Sequence, residues 1–234
     1  MTTDADLPRA CADALEGYIR QVLADQDRCV LASAGGSTPV GVFAALGGRL
    51  DDVMDRLVVT VVDERHVGTA DRWQDLPDAS NTRLLYSAWL ADRPVAPEVV
   101  SWARSGTLGD AARTLDAMVP TPDVLLLGMG PDGHIASLFP GHPALAATDR
   151  VLAVPDSPKP PPERLTMSLP LLRQARFGVL LITGAAKRDA ARRIHDQDPS
   201  HPFVQLTAPG GPVFTTAVDD AAGPPYASPG ATDA

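Results

Sequence analysis

Four times along this chain an apolar run of strand length stops abruptly at glycine or charge. "CVLAS" gives way to "AGGSTP", "VVTVV" to "DERHV", "VLLLG" to "MGPDGH" and "VLLIT" to "GAAK". Uninterrupted β-branched and leucine-rich runs mark strands buried on both faces, and such strands belong to parallel sheets covered by helices. Helical patterns fill the intervals. "LPRACADALEGYIRQVLADQ" carries apolar residues at Ala10, Ala14, Leu15, Tyr18, Ile19, Val22 and Leu23, the spacing of an amphipathic helix. A second helix is expected over Thr38–Leu46, with Pro39 in its first turn. "SNTRLLYSAWL" (80–90), capped by Ser80 or Asn81, and "AAKRDAARRIHD" (185–196) are two more. The alternation predicts an α/β chain: one domain over 1–222 built on a mostly parallel, Rossmann-like sheet with helices on both faces. "LVVTVVDE" (57–64) reads as one strand and "RVLAVP" as another. The proline-rich "PDSPKPPPERL" (155–165) is expected to run extended over the surface. "GPPYASPGATDA" (223–234) is expected to be a disordered tail.

Charge and cysteine usage narrow the partners. The 234 residues carry a formal net charge of −9, which argues against non-specific nucleic-acid binding, because that needs a surplus of cations near phosphates. A small anionic substrate remains compatible, since a local cluster of cations can sit in an acidic protein. Cys11 and Cys29 are too few for a disulfide framework and fit a reducing cytosol. The opening "MTTDADLPRA" has no signal-peptide core, and runs such as "FGVLLI" fall far short of a bilayer span. The expectation is a cytoplasmic protein with no membrane or nucleic-acid partner; the oligomeric state is not legible.

Ligands of open parallel sheets bind beyond the carboxyl ends of the strands, so the residues that follow each run are the candidates. "SAGGSTP" offers Gly35, Gly36, Ser37 and Thr38 at a helix start, where backbone N–H groups and the helix dipole can seat an anion. It is neither a phosphate-binding Walker loop nor a dinucleotide fingerprint. Asp63 and Arg65 lie two apart and would point to one side of an extended segment. "GMGPDGHIASLFP" is the most specific stretch: glycines permit close backbone approach, and His134, two residues from Asp132, is suited to act as a general base. Lys187, on the first turn after the last run, would complete a phosphate clamp with Arg164 and the "AGGSTP" loop. His66, His142, His195 and His201 lack such surroundings and read as ordinary surface residues. No spacing suits zinc and no serine nucleophile elbow is present, so no metal is expected.

Taken in order, "AGGSTP", "VDERHV", "SN", "GMGPDGHIASLFPG", "SPKPPPERLTMSLPLL" and "TGAAKRDA" resemble the 6-phosphogluconolactonase family. The resemblance implies hydrolysis of 6-phosphoglucono-1,5-lactone without a cofactor or metal, with a small-molecule sugar-phosphate lactone as the partner. His134 would activate water, while Asp63, Arg65 and Asp132 line the reacting end. Gly36, Ser37, Arg164 and Lys187 would hold the phosphate. Two departures stand out. Gly68 replaces the family's usual proline and the link from "DERHV" to "SN" is long, which leaves Asn81 without an assigned role; the family's carboxyl-terminal Trp-x-x-Asp pattern is missing around Phe214, Asp219 and Asp220. Two rivals share the fold. Aminosugar-6-phosphate deaminase/isomerases typically carry a glutamate where this chain has Phe139. A sugar-phosphate-sensing domain of a transcriptional regulator would be expected to bring a basic, DNA-reading segment.

Overall fold

A computed structural model describes residues 6–223; the expected tail therefore lies, apart from Gly223, outside the described residues. The chain starts with helix α1 (Leu7–Asp25), whose buried stripe runs through Cys11, Leu15, Ile19 and Val22. Strand β1 (Cys29–Ser33) and helix α2 (Thr38–Leu46) follow at the expected positions. Next come β2 (Leu57–Val61), β3 (Asp63–Arg65), α3 (Asn81–Leu85), β4 (Glu98–Val100), α4 (Leu108–Met118) and β5 (Val124–Gly128). The second half supplies β6 (Val151–Val154), β7 (Arg164–Met167), α5 (Leu169–Leu172), β8 (Phe177–Ile182), α6 (Arg188–His195), α7 (Pro202–Leu206) and β9 (Val213–Val218). Ser80 is the cap of α3, its hydroxyl accepting from Arg83 N at 3.1 Å.

Six strands form one parallel sheet in the order β4-β2-β1-β5-β8-β9, with helices on both sides. The order reverses between β1 and β5, and this switch point is where an open α/β sheet opens a crevice at its carboxyl edge. The loops after β1 and β5 are the "AGGSTP" and "MGPDGH" loops, so the topology brings the two glycine-rich stretches side by side.

The expected strand over 57–64 is in fact two. Val62 N still donates to Ser33 O at 2.9 Å within the large sheet, whereas Val62 O accepts from Met167 N at 2.8 Å. The chain changes sheets at that residue. β3 joins a small antiparallel sheet in the order β3-β7-β6, and "RVLAVP" belongs there as β6. The proline-rich segment also departs from the expectation of a surface strap. Residues 155–163 do run between β6 and β7 and are largely exposed or half-buried, but Arg164 and Leu165 at the end of the segment enter β7 and are buried.

His201 corrects a further expectation. It is 0% exposed, and its Nδ1 accepts from Phe203 N at 3.1 Å to cap α7. Burial, helped by Arg193 and opposed by Asp198, pushes its pKa down to about 4. His142 is also mostly sheltered, its Nε2 lying 3.0 Å from Asp156. Between pH 6.5 and 4 the unfolded chain binds a proton that folded His201 refuses, so stability falls as the pH falls through that window. Urea unfolding should show the wild type losing roughly 3 kcal/mol more than His201→Asn between pH 7 and pH 4; equal losses would contradict the assignment.

Candidate active site

The turn after β1 is built to approach other groups closely. A Cβ on Gly35 would lie 1.8 Å from Asn81 Oδ1, so only glycine lets that amide pack onto the turn. Gly36 holds φ +79°, and the N-cap Ser37 receives no side-chain capping bond among the described residues. The first amides of α2 are thus left to whatever enters the cleft, with the positive end of the helix dipole behind them.

Beyond β5 the chain folds back on itself: Gly133 N donates to Gly130 O and Gly130 N to His134 O, at 3.0 and 2.9 Å. The imidazole of His134 lies directly over Gly130, where a Cβ would fall 2.1 Å from Cε1. Nδ1 sits 2.5 Å from Asp132 Oδ1. Partial burial raises the Asp132 carboxyl, but the hydrogen bond and charge of His134, with Lys159, hold it well below the usual carboxylate range. Phe139 packs on the same imidazole, with ring centroids 4.6 Å apart.

The small sheet delivers the charged side chains. Asp63 and Arg65 point the same way, as period-two geometry requires, and both reach the cleft. Glu64 points to the other side and is fully buried. Its carboxylate accepts from Asn81 N and Thr82 N, at 2.7 and 2.8 Å, and from the Ser80 hydroxyl at 2.9 Å. Burial pushes the Glu64 carboxyl up, against the pull of those backbone donors. With α3 fastened this way, Asn81 Nδ2 donates to Asp63 O and Oδ1 at 2.8 and 3.1 Å, and Asn81 Oδ1 accepts from Arg65 Nη1 at 2.5 Å. Ser137 Oγ donates to Asp63 Oδ2 at 2.7 Å.

Across the β3–β7 pairing Arg65 stands opposite Arg164. Arg164 is 5% exposed, and the proline-rich segment wraps it. Its Nε donates to Pro161 O at 2.8 Å and its Nη2 to Lys159 O and Pro160 O at 3.2 Å. Nη1 is left 3.9 Å from Asp63 Oδ2. Burial pushes the guanidinium below its ordinary value; Asp63 opposes that and Arg65 adds to it. Arg65 Nε is buried and finds no hydrogen-bond partner among the described residues. On the β8 side Asp219 Oδ2 accepts from Gly184 N at 2.6 Å and so fixes the turn that carries Lys187. Burial pushes the Lys187 ammonium down, against Asp219 and with help from Lys159.

One cleft of about 240 Å³ collects Gly35, Gly36, Ser37, Thr38, Asp63 and Arg65 together with His134, Arg164 and Lys187. Asp132 stands behind the imidazole and outside this lining. Asn81 is in the lining although no role was expected of it, and Lys159 and Asp219 support it from outside. A larger groove of about 840 Å³ between α4 and β6 contains none of the expected site residues. Among the described residues no cluster of His, Cys, Asp or Glu could hold a metal ion, and no helix is long and apolar enough to cross a membrane. Cys11 and Cys29 are free and buried, with thiols pushed up to about 12 by burial; neither is poised as a nucleophile.

The family model described as glucosamine-6-phosphate isomerases/6-phosphogluconolactonase matches residues 2–214. The chain belongs to this family. A 6-phosphogluconolactonase of Caulobacter vibrioides is 38% identical over 86% of this chain and 88% of its own. The crystal structure of a putative 6-phosphogluconolactonase from Neisseria gonorrhoeae superposes with a TM-score of 0.80 at 25% identity, covering 94% of this chain and 97% of that one. A monomeric glucosamine-6-phosphate deaminase shares the fold at 21% identity, with a TM-score of 0.73 over 95% of this chain and 96% of its own. Fold alone therefore does not separate the family's two chemistries, and the side chains around His134 must.

Within this cleft, Asn81 is the joint between the turn after β1 and the small sheet. Gly35→Ala should cost roughly 1–3 kcal/mol in urea unfolding, because the new methyl group overlaps the Asn81 amide. Combined with Asn81→Ala, it should cost almost nothing further. Additive losses would show that Gly35 and Asn81 do not press on one another.

Proposed function

We propose that this chain hydrolyses 6-phosphoglucono-1,5-lactone to 6-phosphogluconate in the pentose phosphate pathway. The observation that carries the reading is the pairing of a carboxylate-held imidazole with a set of cations in one small cleft, with the apolar ring of Phe139 packed on that imidazole. His134 Nδ1 is taken by Asp132, which leaves Nε2 for a water. As the water oxygen bonds to the lactone carbonyl carbon, its proton passes to Nε2 and the carbonyl oxygen becomes an oxyanion. When the carbonyl re-forms, the bond to the ring oxygen breaks and the imidazolium returns the proton to that oxygen. The product leaves as a hydroxy acid that ionises in water. Asp132 keeps the imidazole in the tautomer this requires and offsets its transient charge.

The phosphate belongs at the other cations. Lys187 and Arg164 supply charge, while the Gly36 and Ser37 amides and the Thr38 hydroxyl supply directed donors. Arg65, held by Ala79 O and Asn81 in the lining of the cleft, is assigned to the developing oxyanion. Binding energy from the remote phosphate fixes the lactone against the water. Deamination of an aminosugar phosphate asks for further acid–base groups to move a proton between carbons and expel ammonia. Phe139, packed against His134 at a tilt, can supply none.

Replacing His134 with Gln should lower turnover of freshly generated lactone by about 10²–10⁴, measured above the spontaneous background, while 6-phosphogluconate still binds. The wild type should release no ammonia from glucosamine 6-phosphate. A His134→Gln protein that keeps most of its activity would refute the assigned base, and ammonia release at a comparable rate would refute the reaction.

A further inference from the structure

Asp132 Oδ1 serves donors from two residues, including the backbone N–H of His134 at 3.5 Å. Besides His134 Nδ1, it lies 3.4 Å from Lys159 Nζ. Lys159 was expected only as part of a surface strap, yet its backbone is held at both ends. Its N–H donates to Ser157 Oγ at 3.3 Å, and its carbonyl accepts from that hydroxyl at 3.1 Å and from Arg164 Nη2 at 3.2 Å. The proline-rich segment that clasps Arg164 therefore also presents an ammonium to the carboxylate behind the imidazole.

We infer that Lys159 is a positioning residue of the His134–Asp132 pair, holding the carboxylate ionised and in place and setting the lower pH limit at which the imidazole can accept a proton. A cation beside the pair favours its state with a charged carboxylate and a neutral ring, and disfavours a second cation on the ring. The other charges around the ring come from several elements. Lys187 approaches from the β8–α6 turn, and Asp63, Arg65 and Arg164 from the small sheet. His201 lies beneath Gly133, and the His142–Asp156 pair lies beyond Phe139. None of these is hydrogen-bonded to Asp132 Oδ1 among the described residues; Lys159 is. The depressed carboxyl of Asp132, to which Lys159 contributes, agrees with this role.

The rate measurement rests on the proposed lactone hydrolysis, and an NMR measurement on the free protein does not. The imidazole resonance of His134, assigned with His134→Gln, is titrated in the wild type, Lys159→Met and Lys159→Arg, and the pH profile of kcat/KM is recorded in parallel. Lys159→Met should move the imidazole midpoint and the acid limb of the profile upward together by about 0.5–1 pH unit, as expected for loss of a partly exposed like charge. Lys159→Arg should restore most of the difference. Lys159→Gln, shorter and polar, serves the same purpose if the methionine variant does not fold. An unmoved midpoint overturns the inference, also where 6-phosphogluconate binding weakens, since Lys159 would then be a ligand contact only. A midpoint that moves in a protein without lactone turnover would uphold Lys159 and refute the reaction.

Discussion

Two arginines facing each other across neighbouring strands form the constraint on which this site depends. Like charges directly opposite in a sheet destabilise the pairing, and Arg65 and Arg164 hold that register with one of them almost fully buried. The surrounding residues compensate. Asp63 stands between them, the carbonyls of Lys159, Pro160 and Pro161 take up two nitrogens of Arg164, and Ala79 O and Asn81 take up Nη1 of Arg65. Both guanidiniums are thereby fixed in direction and line the cleft, where their charge can meet an anion.

Much of the remaining architecture follows from keeping that arrangement in place. Glu64, on the reverse face of β3, fastens the start of α3 so that Asn81 reaches both Asp63 and Arg65. Ser137, in the loop that follows the catalytic candidate His134, donates to the same aspartate. The imidazole loop and the arginine pair are thereby tied through one carboxylate. This coupling connects the two halves of the cleft.

The four rim loops were legible in the sequence because doubly buried parallel strands leave continuous apolar runs, and the residues that stop those runs stand out. The edge strands were not: β4 is three residues long, and in β9 only Phe214 is buried. Helix α4 hides its inner face behind alanines, Ala111 and Ala112, with only Leu115 of any size. The small sheet pairs residues 63–65 with 164–167, a separation that no local pattern records. For the same reason Asn81, Lys159 and Asp219 went without an assigned role: each matters through a partner far along the chain. Proline-rich composition at 155–163 suggested a solvated strap, whereas its carbonyls are the acceptors a buried guanidinium needs. The four histidines set aside on sequence grounds divide in the structure, with His201 buried as a helix cap.

The central claim is that remote cations, and not the imidazole alone, drive the chemistry by fixing a phosphorylated lactone. Comparing kcat/KM for 6-phosphoglucono-1,5-lactone with that for glucono-1,5-lactone tests it most directly, because the two differ only at the group the cations would hold. Two or more charge-assisted hydrogen bonds, each contributing about 1.5–3 kcal/mol, predict a preference for the phosphorylated lactone of at least about 10²-fold. A ratio near one would contradict the account.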